Sequence, residues 1–186
     1  MLVPDFLTIL IPVFICWIII RLILSISRKR VDFHLEMKYS LFLFSLTFIY
    51  SYTIAPFPFF MEQYTFIDLE YEMKSYNLIP FNSIFGSLQH FYFMVPLRNI
   101  GGNILLFVPL GLSLAFLRPT LSWKKIVLLG LITSLMVEIT QWFIPFRSLD
   151  IDDLILNTLG TFFGYVAFNI IKWITAKWVK RKDTAY

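Results

Sequence analysis

The sequence predicts an all-α fold, a polytopic helical bundle in a membrane, on three observations. Charge is scarce: 15% of the 186 residues are charged against 58% hydrophobic and 19% aromatic, and the mean hydropathy is +0.73, where a soluble domain of this size carries a more charged surface. Five apolar runs approach the roughly 20 residues that a helix needs to cross a hydrocarbon core. The basic residues fall between these runs with a strong bias to alternate connectors. Together they predict one membrane domain over 1–186, with about five transmembrane helices and an interfacial or re-entrant helix in the outer loop.

The first span is Leu2–Ile26, with Arg21 placed to snorkel toward the interface. Positive charge follows this run instead of preceding it, so it does not read as a cleavable signal. Cys16, the single cysteine, lies within it and is expected to be a small buried hydrophobe. The second span, Tyr39–Phe57, stops at Pro56 and Pro58. The third, Ile100–Leu117, contains Pro109 and Gly111, a pair that membrane helices tolerate and that often marks a kink. Trp123–Ile144 and Leu154–Val179 are the fourth and fifth, with Pro145 ending the fourth.

With the amino terminus outside and the carboxyl terminus in the cytoplasm, thirteen of the sixteen basic residues lie on the inner side, leaving Lys74, Arg98 and Arg147 outside. Nine of the twelve acidic residues fall outside. The net charge of +4 is therefore a topology signal and no indication of nucleic-acid binding. The outer loop, 58–98, is too long for a turn. In its second half Phe81, Ile84, Phe85, Leu88, Phe91 and Tyr92 recur at helical spacing opposite Asn82, Ser83, Gln89 and His90, the pattern of a helix in the outer interface. It reads equally as a cover over the bundle or a lid on a site.

Polar residues within spans are costly and call for a reason. Asn99 and Asn103 share a face with Leu106 and Leu110 on the third span. Gly130, Ser134, Glu138 and Gln141 form a stripe on the fourth, and Asp153, Asn157, Gly160 and Gly164 one on the fifth. Small residues at Gly160 and Gly164 let helix backbones approach, which is expected to bring Asn103, Glu138 and Asn157 together. Asp152 or Asp153 is placed to cap the fifth helix, leaving the other acid and Asp150 in surplus near Arg147. The candidate ligand-binding residues are thus Asn99, Asn103, Glu138, Gln141, Arg147, Asp150, Asp152, Asp153 and Asn157. For the amides, packing glue stands beside ligand contact as an explanation. Glu138 calls for a partner: Arg147 or Arg98 if charged, Asn103 if protonated.

No HExxH, CxxC, GxSxG or phosphate-binding glycine loop is present. His34 and His90 read as isolated loop histidines. No cofactor is predicted; the acidic cluster can offer oxygens to Mg²⁺ or Ca²⁺, but no spacing identifies a metal loop.

Three motifs in order, NLIPF (Asn77–Phe81), RNIGGNILLFVPLG (Arg98–Gly111) and EITQWFIPFRSLDIDDLILNTLGTFFGY (Glu138–Tyr165), resemble the VanZ-like family of bacterial membrane proteins. The resemblance carries over Asn103, Pro109, Gly111, Glu138, Gln141, Arg147, Asp150, Asp152, Asp153, Asn157 and Gly160 as motif residues without assigning them a reaction. It implies a multi-pass protein of the bacterial plasma membrane, linked to resistance to the glycopeptide teicoplanin. The expected partners are the lipid bilayer and a cell-wall precursor, a phospholipid or the glycopeptide, bound at an extracytoplasmic polar cluster. An enzyme acting on an envelope lipid with Glu138 as acid or base, and a scaffold subunit, are the competing readings.

Overall fold

A computed structural model of the chain describes residues 6–28, 32–54, 75–144 and 147–183. Six helices run in the order α1 (Phe6–Arg28), α2 (Phe33–Thr53), α3 (Asn82–Leu88), α4 (Met94–Leu117), α5 (Trp123–Trp142) and α6 (Ile151–Asp183). Two two-residue strands, β1 (Tyr76–Asn77) and β2 (Leu149–Asp150), pair in parallel, Tyr76 with Leu149 and Asn77 with Asp150. The bundle is all-α apart from this clasp, which ties the 58–98 loop to the connector before α6.

Among the described residues three helices are long and apolar enough to cross a membrane: Met94–Leu117, Trp123–Trp142 and Ile151–Trp178. Their outward faces carry Leu105, Leu128, Ile132, Leu135, Met136, Ile139 and Phe163, all exposed, an apolar exterior that water would not tolerate at this extent. The expected count of five is not reached by length and composition alone. In α1 the apolar stretch counted among the described residues is Ile11–Leu24. In α2 the apolar run is diluted by Ser45, Thr47, Ser51 and Thr53, all buried. Three of these hydroxyls bond back to carbonyls of their own helix, Ser45 to Phe42 (2.7 Å), Thr47 to Leu43 (2.9 Å) and Thr53 to Ile49 (2.8 Å), as hydroxyl side chains in membrane helices do.

Several boundaries differ from the sequence expectation. Helix α2 starts at Phe33, before Tyr39, because the Asp32 side chain accepts the Leu35 backbone N–H (3.2 Å). The third span starts at Met94 instead of Ile100; it enters through a π-helical turn, Leu97–Gly101, and continues through Pro109 without interruption. Helix α5 ends at Trp142, and Pro145 lies outside the described residues, as do 2–5 of the first span and 55–74 of the second span and outer loop. Helix α6 begins at Ile151 and runs to Asp183, 33 residues, about 50 Å at 1.5 Å per residue. Cys16, expected to be buried, is exposed on α1.

Helix α4 is the centre, packed against α2 and most extensively against α6, while α5 packs chiefly against α6 and also touches α4. Phe107, Leu110, Ala115 and Ile126 fill the core, and Phe116 meets Phe168 edge-on at 5.0 Å. The α4–α6 contact is made by backbone. A Cβ on Gly111 would stand 2.8 Å from the Thr161 carbonyl carbon, and one on Gly164 would stand 2.6 Å from the Leu112 nitrogen. At the opposite end from the polar connector, Arg21 of α1 forms a two-pronged ion pair with Glu36 of α2 and lies over the rings of Trp17 and Tyr39. Both side chains are about one-fifth exposed, so Glu36→Gln is expected to lower stability by no more than about 1 kcal/mol in a detergent melt; a larger loss would show that α1 is held chiefly by this pair.

Candidate functional site

The site is built on the start of α6. Asp150 immediately precedes the helix, and its Oδ1 accepts the backbone N–H of Asp152 (2.9 Å). Asp150 therefore does the capping expected of Asp152 or Asp153, because the helix starts three residues earlier than Leu154. Asp152, 1% exposed, is free to turn toward α3. Its two oxygens accept the backbone N–H groups of Phe81, Ser83 (2.8 Å) and Ile84 (3.1 Å). These are the unsatisfied donors of the first turn of α3, which has no capping side chain of its own. Phe81 sits there in the left-handed region, φ 68°, a conformation that a bulky residue keeps only when its surroundings hold it.

Asn77 of β1 completes the joint. Its Nδ2 donates to Asp150 Oδ1 and to Ser83 Oγ, each at 2.9 Å, and Ser83 Oγ donates to Asp150 Oδ2. Glu138, 3% exposed, supports this from behind by accepting the backbone N–H of Asp150 (3.0 Å). Its hydrogen-bond partner is thus a main-chain donor and not Arg147, Arg98 or Asn103, although the Arg147 charge lies within electrostatic reach.

The amides are divided among different partners. Asn99 donates to Ser87 Oγ on α3 (3.0 Å), and Asn103 donates to Asp153 Oδ1 on α6. The two line the same cavity but bond to different helices; the turn between them is π-helical, the Gly102 N–H reaching back to Leu97 as well as Arg98. Gln141 donates to the Thr53 carbonyl at the end of α2 (3.3 Å). Asn157 donates to Ser134 Oγ (2.9 Å), so Asn103, Glu138 and Asn157 have three separate partners and do not bond to one another.

These elements enclose a cavity of about 620 Å³, within the roughly 300–1,000 Å³ range of small-molecule sites. Asn99, Asn103, Gln141, Arg147, Asp150, Asp152 and Asp153 line it. Glu138 and Asn157 are not among the lining residues. Sequence reasoning missed Ser83, Ser87, Ser148 and Arg98 on the lining. The signal was available for two of them: Ser83 and Ser87 stand one helical turn apart on α3, whose Phe81, Phe85 and Leu88 flank are exposed. Gln89 and His90, expected on the same polar face, lie beyond the helix and are exposed, since α3 ends at Leu88 and does not reach Tyr92.

The lining's hydrogen-bonding capacity is uneven. Both oxygens of Asp150 and of Asp152 are occupied by the bonds above. The side chains of Arg98 and Arg147 form no hydrogen bond or ion pair with any described residue, although each guanidinium offers five donors; only their backbones are engaged, with Gly102 and Ile144. Among the described residues no group of three or more His, Cys, Asp or Glu side chains is placed to hold a metal ion; the aspartates point their oxygens at backbone and amide donors instead of at one another.

The match to known proteins covers this region. The VanZ/LLP1 family model matches residues 39–172, from α2 into α6, and so takes in every residue of the cavity lining. Protein VanZ of Enterococcus faecium is 29% identical over 128 residues, which cover 66% of this chain and 70% of that protein. No solved structure matches. With a family model spanning well over half its length, this chain belongs to the VanZ/LLP1 family.

Proposed function

We propose that the protein is a five-span protein of the bacterial plasma membrane that binds a polar envelope ligand in the cavity, on the extracytoplasmic side, and that this binding links it to glycopeptide tolerance. The observation that carries the reading is the pair of arginines on the cavity lining without partners among the described residues. Partnerless guanidinium groups in a concave polar site are suited to grip a phosphate or carboxylate. The basic-residue asymmetry supports the orientation, since Arg98 and Arg147 are two of the three basic residues assigned to the outer side. The exposed Phe81, Phe85, Leu88, Phe91 and Phe93 support an interfacial position for α3 beside the cavity mouth.

Expression in a susceptible host is expected to raise teicoplanin tolerance. Arg147→Gln should return tolerance to the empty-vector level at unchanged membrane abundance, because the Arg147 side chain makes no hydrogen bond or ion pair with any described residue and the substitution keeps its backbone N–H to Ile144. Undiminished tolerance in Arg98→Gln and Arg147→Gln alike would remove the cavity from the function. Glu138→Gln is expected to act more weakly, through the position of Asp150, since an amide oxygen still accepts the Asp150 N–H.

A further inference from the structure

The chemistry of the cavity lining narrows the class of ligand. Among its charged groups, Asp150 and Asp152 have both oxygens occupied by Asn77, Ser83 and backbone donors. Asp153 accepts one bond, from Asn103 on Oδ1, and its Oδ2 has no partner among the described residues. Arg98 and Arg147 have none either. The lining therefore offers two guanidiniums without a hydrogen bond to any described residue, Arg147 within electrostatic reach of Asp153, and one carboxylate oxygen without a hydrogen bond. Its formal charge matters as well: two arginines against three aspartates leave it at −1, so a purely anionic guest adds like charge to a negative site. A guest that brings its own cation does not.

Resting on the ligand-binding reading above, we infer that the cavity takes a phosphoethanolamine-type group, its phosphate held by Arg98 and Arg147 and its ammonium by Asp153. Both contacts are charge-assisted hydrogen bonds of the stronger kind. The same chemistry occurs in a phospholipid headgroup and in a soluble glycerophosphodiester. Two features favour the lipid. Tyr52 lines the cavity while 57% exposed on the flank of α2, which opens the site toward the apolar exterior among the described residues. Leu106 and Leu156 supply buried apolar lining on the helices below.

The test uses the full chain purified in detergent and four probes in a binding titration: dihexanoyl phosphatidylethanolamine, dihexanoyl phosphatidylglycerol, glycerophosphoethanolamine and inorganic phosphate. The ethanolamine lipid is expected to bind more tightly than the glycerol lipid by about tenfold, the scale of one charge-assisted hydrogen bond. Asp153→Asn should bring that ratio to near one without weakening the glycerol lipid. Arg147→Gln should weaken both lipids by a similar factor, and it keeps the test available if Asp153→Asn fails to fold. Glycerophosphoethanolamine binding as tightly as the lipid would assign the same group to a soluble source, and weaker binding assigns it to the lipid. Equal affinity of the wild-type protein for the two lipids, or an unchanged ratio in Asp153→Asn, overturns the inference. Loss of teicoplanin tolerance in Arg147→Gln together with equal lipid affinities would overturn this headgroup and leave the cavity as the binding site. An ethanolamine preference without any tolerance phenotype would do the reverse.

Discussion

Gly111→Ala is expected to leave little folded protein in mild detergent, whereas Gly86→Ala should melt at or above the wild-type temperature. The difference lies in what each added methyl meets. At Gly111 the nearest atoms are the backbone carbonyl and Cα of Thr161, and at Gly160 they are those of Ile104. Main chain in two packed helices cannot rotate aside as a side chain can. The methyl is accommodated only by sliding α4 away from α6, which loosens Phe107, Leu110 and the partners of Asn103 together. Overpacking of cores commonly costs about 1–3 kcal/mol, and a clash with backbone at the largest helix interface belongs at the top of that range or beyond it. A methyl at Gly86 meets nothing within 4 Å, and replacing a helical glycine with alanine contributes about 0.5–1 kcal/mol through the unfolded chain. Fluorescence-detected size exclusion after a temperature series separates the two. If Gly111→Ala melts with Gly86→Ala, the close approach of α4 and α6 is wrong.

Asp152→Ala is the second large effect, and it should be local. The carboxylate satisfies three backbone donors at the start of α3, and a lost hydrogen bond to a charged group costs about 1.5–3 kcal/mol. The donors near the surface regain water, so a total of about 3 kcal/mol is expected instead of the full sum. Hydrogen exchange locates the damage: the amides of Ser83 and Ile84 should lose protection while those in the middle of α4 and α6 keep it. Asp152→Asn should fall between alanine and wild type, because an amide presents one acceptor oxygen where the carboxylate presents two. Unchanged exchange at Ser83 and Ile84 would show that α3 is held by Asn77 and Ser83 alone.

The parts of this architecture that repeat along the chain were legible in the sequence. Gly130, Ser134, Glu138 and Gln141 recur at helical spacing, and all four are buried. Gly160 and Gly164 signalled a close approach that α4 supplies. What escaped were relations between distant segments. Asp152 caps a helix about seventy residues away through backbone N–H groups, and no side-chain pattern marks a main-chain donor. The β1–β2 clasp is two residues long, too short for any alternation to register. Asn99 and Asn103 line the cavity together, but their separate partners, Ser87 on α3 and Asp153 on α6, lie on segments that no spacing on the third span could reveal. Glu138 drew attention as a charge within a span, yet its geometry is that of a prop under Asp150.

The wide turn at Leu97–Gly101 separates a three-residue lead, Met94–Pro96, from the long rod Gly102–Leu117. Arg98 and Asn99 lie on that turn, and Asn99 ties it to α3 through Ser87. Arg147 stands on the connector fixed by β2 and α6. The two guanidiniums of the lining are thus carried by separate elements, Arg98 by the wide turn of α4 and Arg147 by the connector before α6.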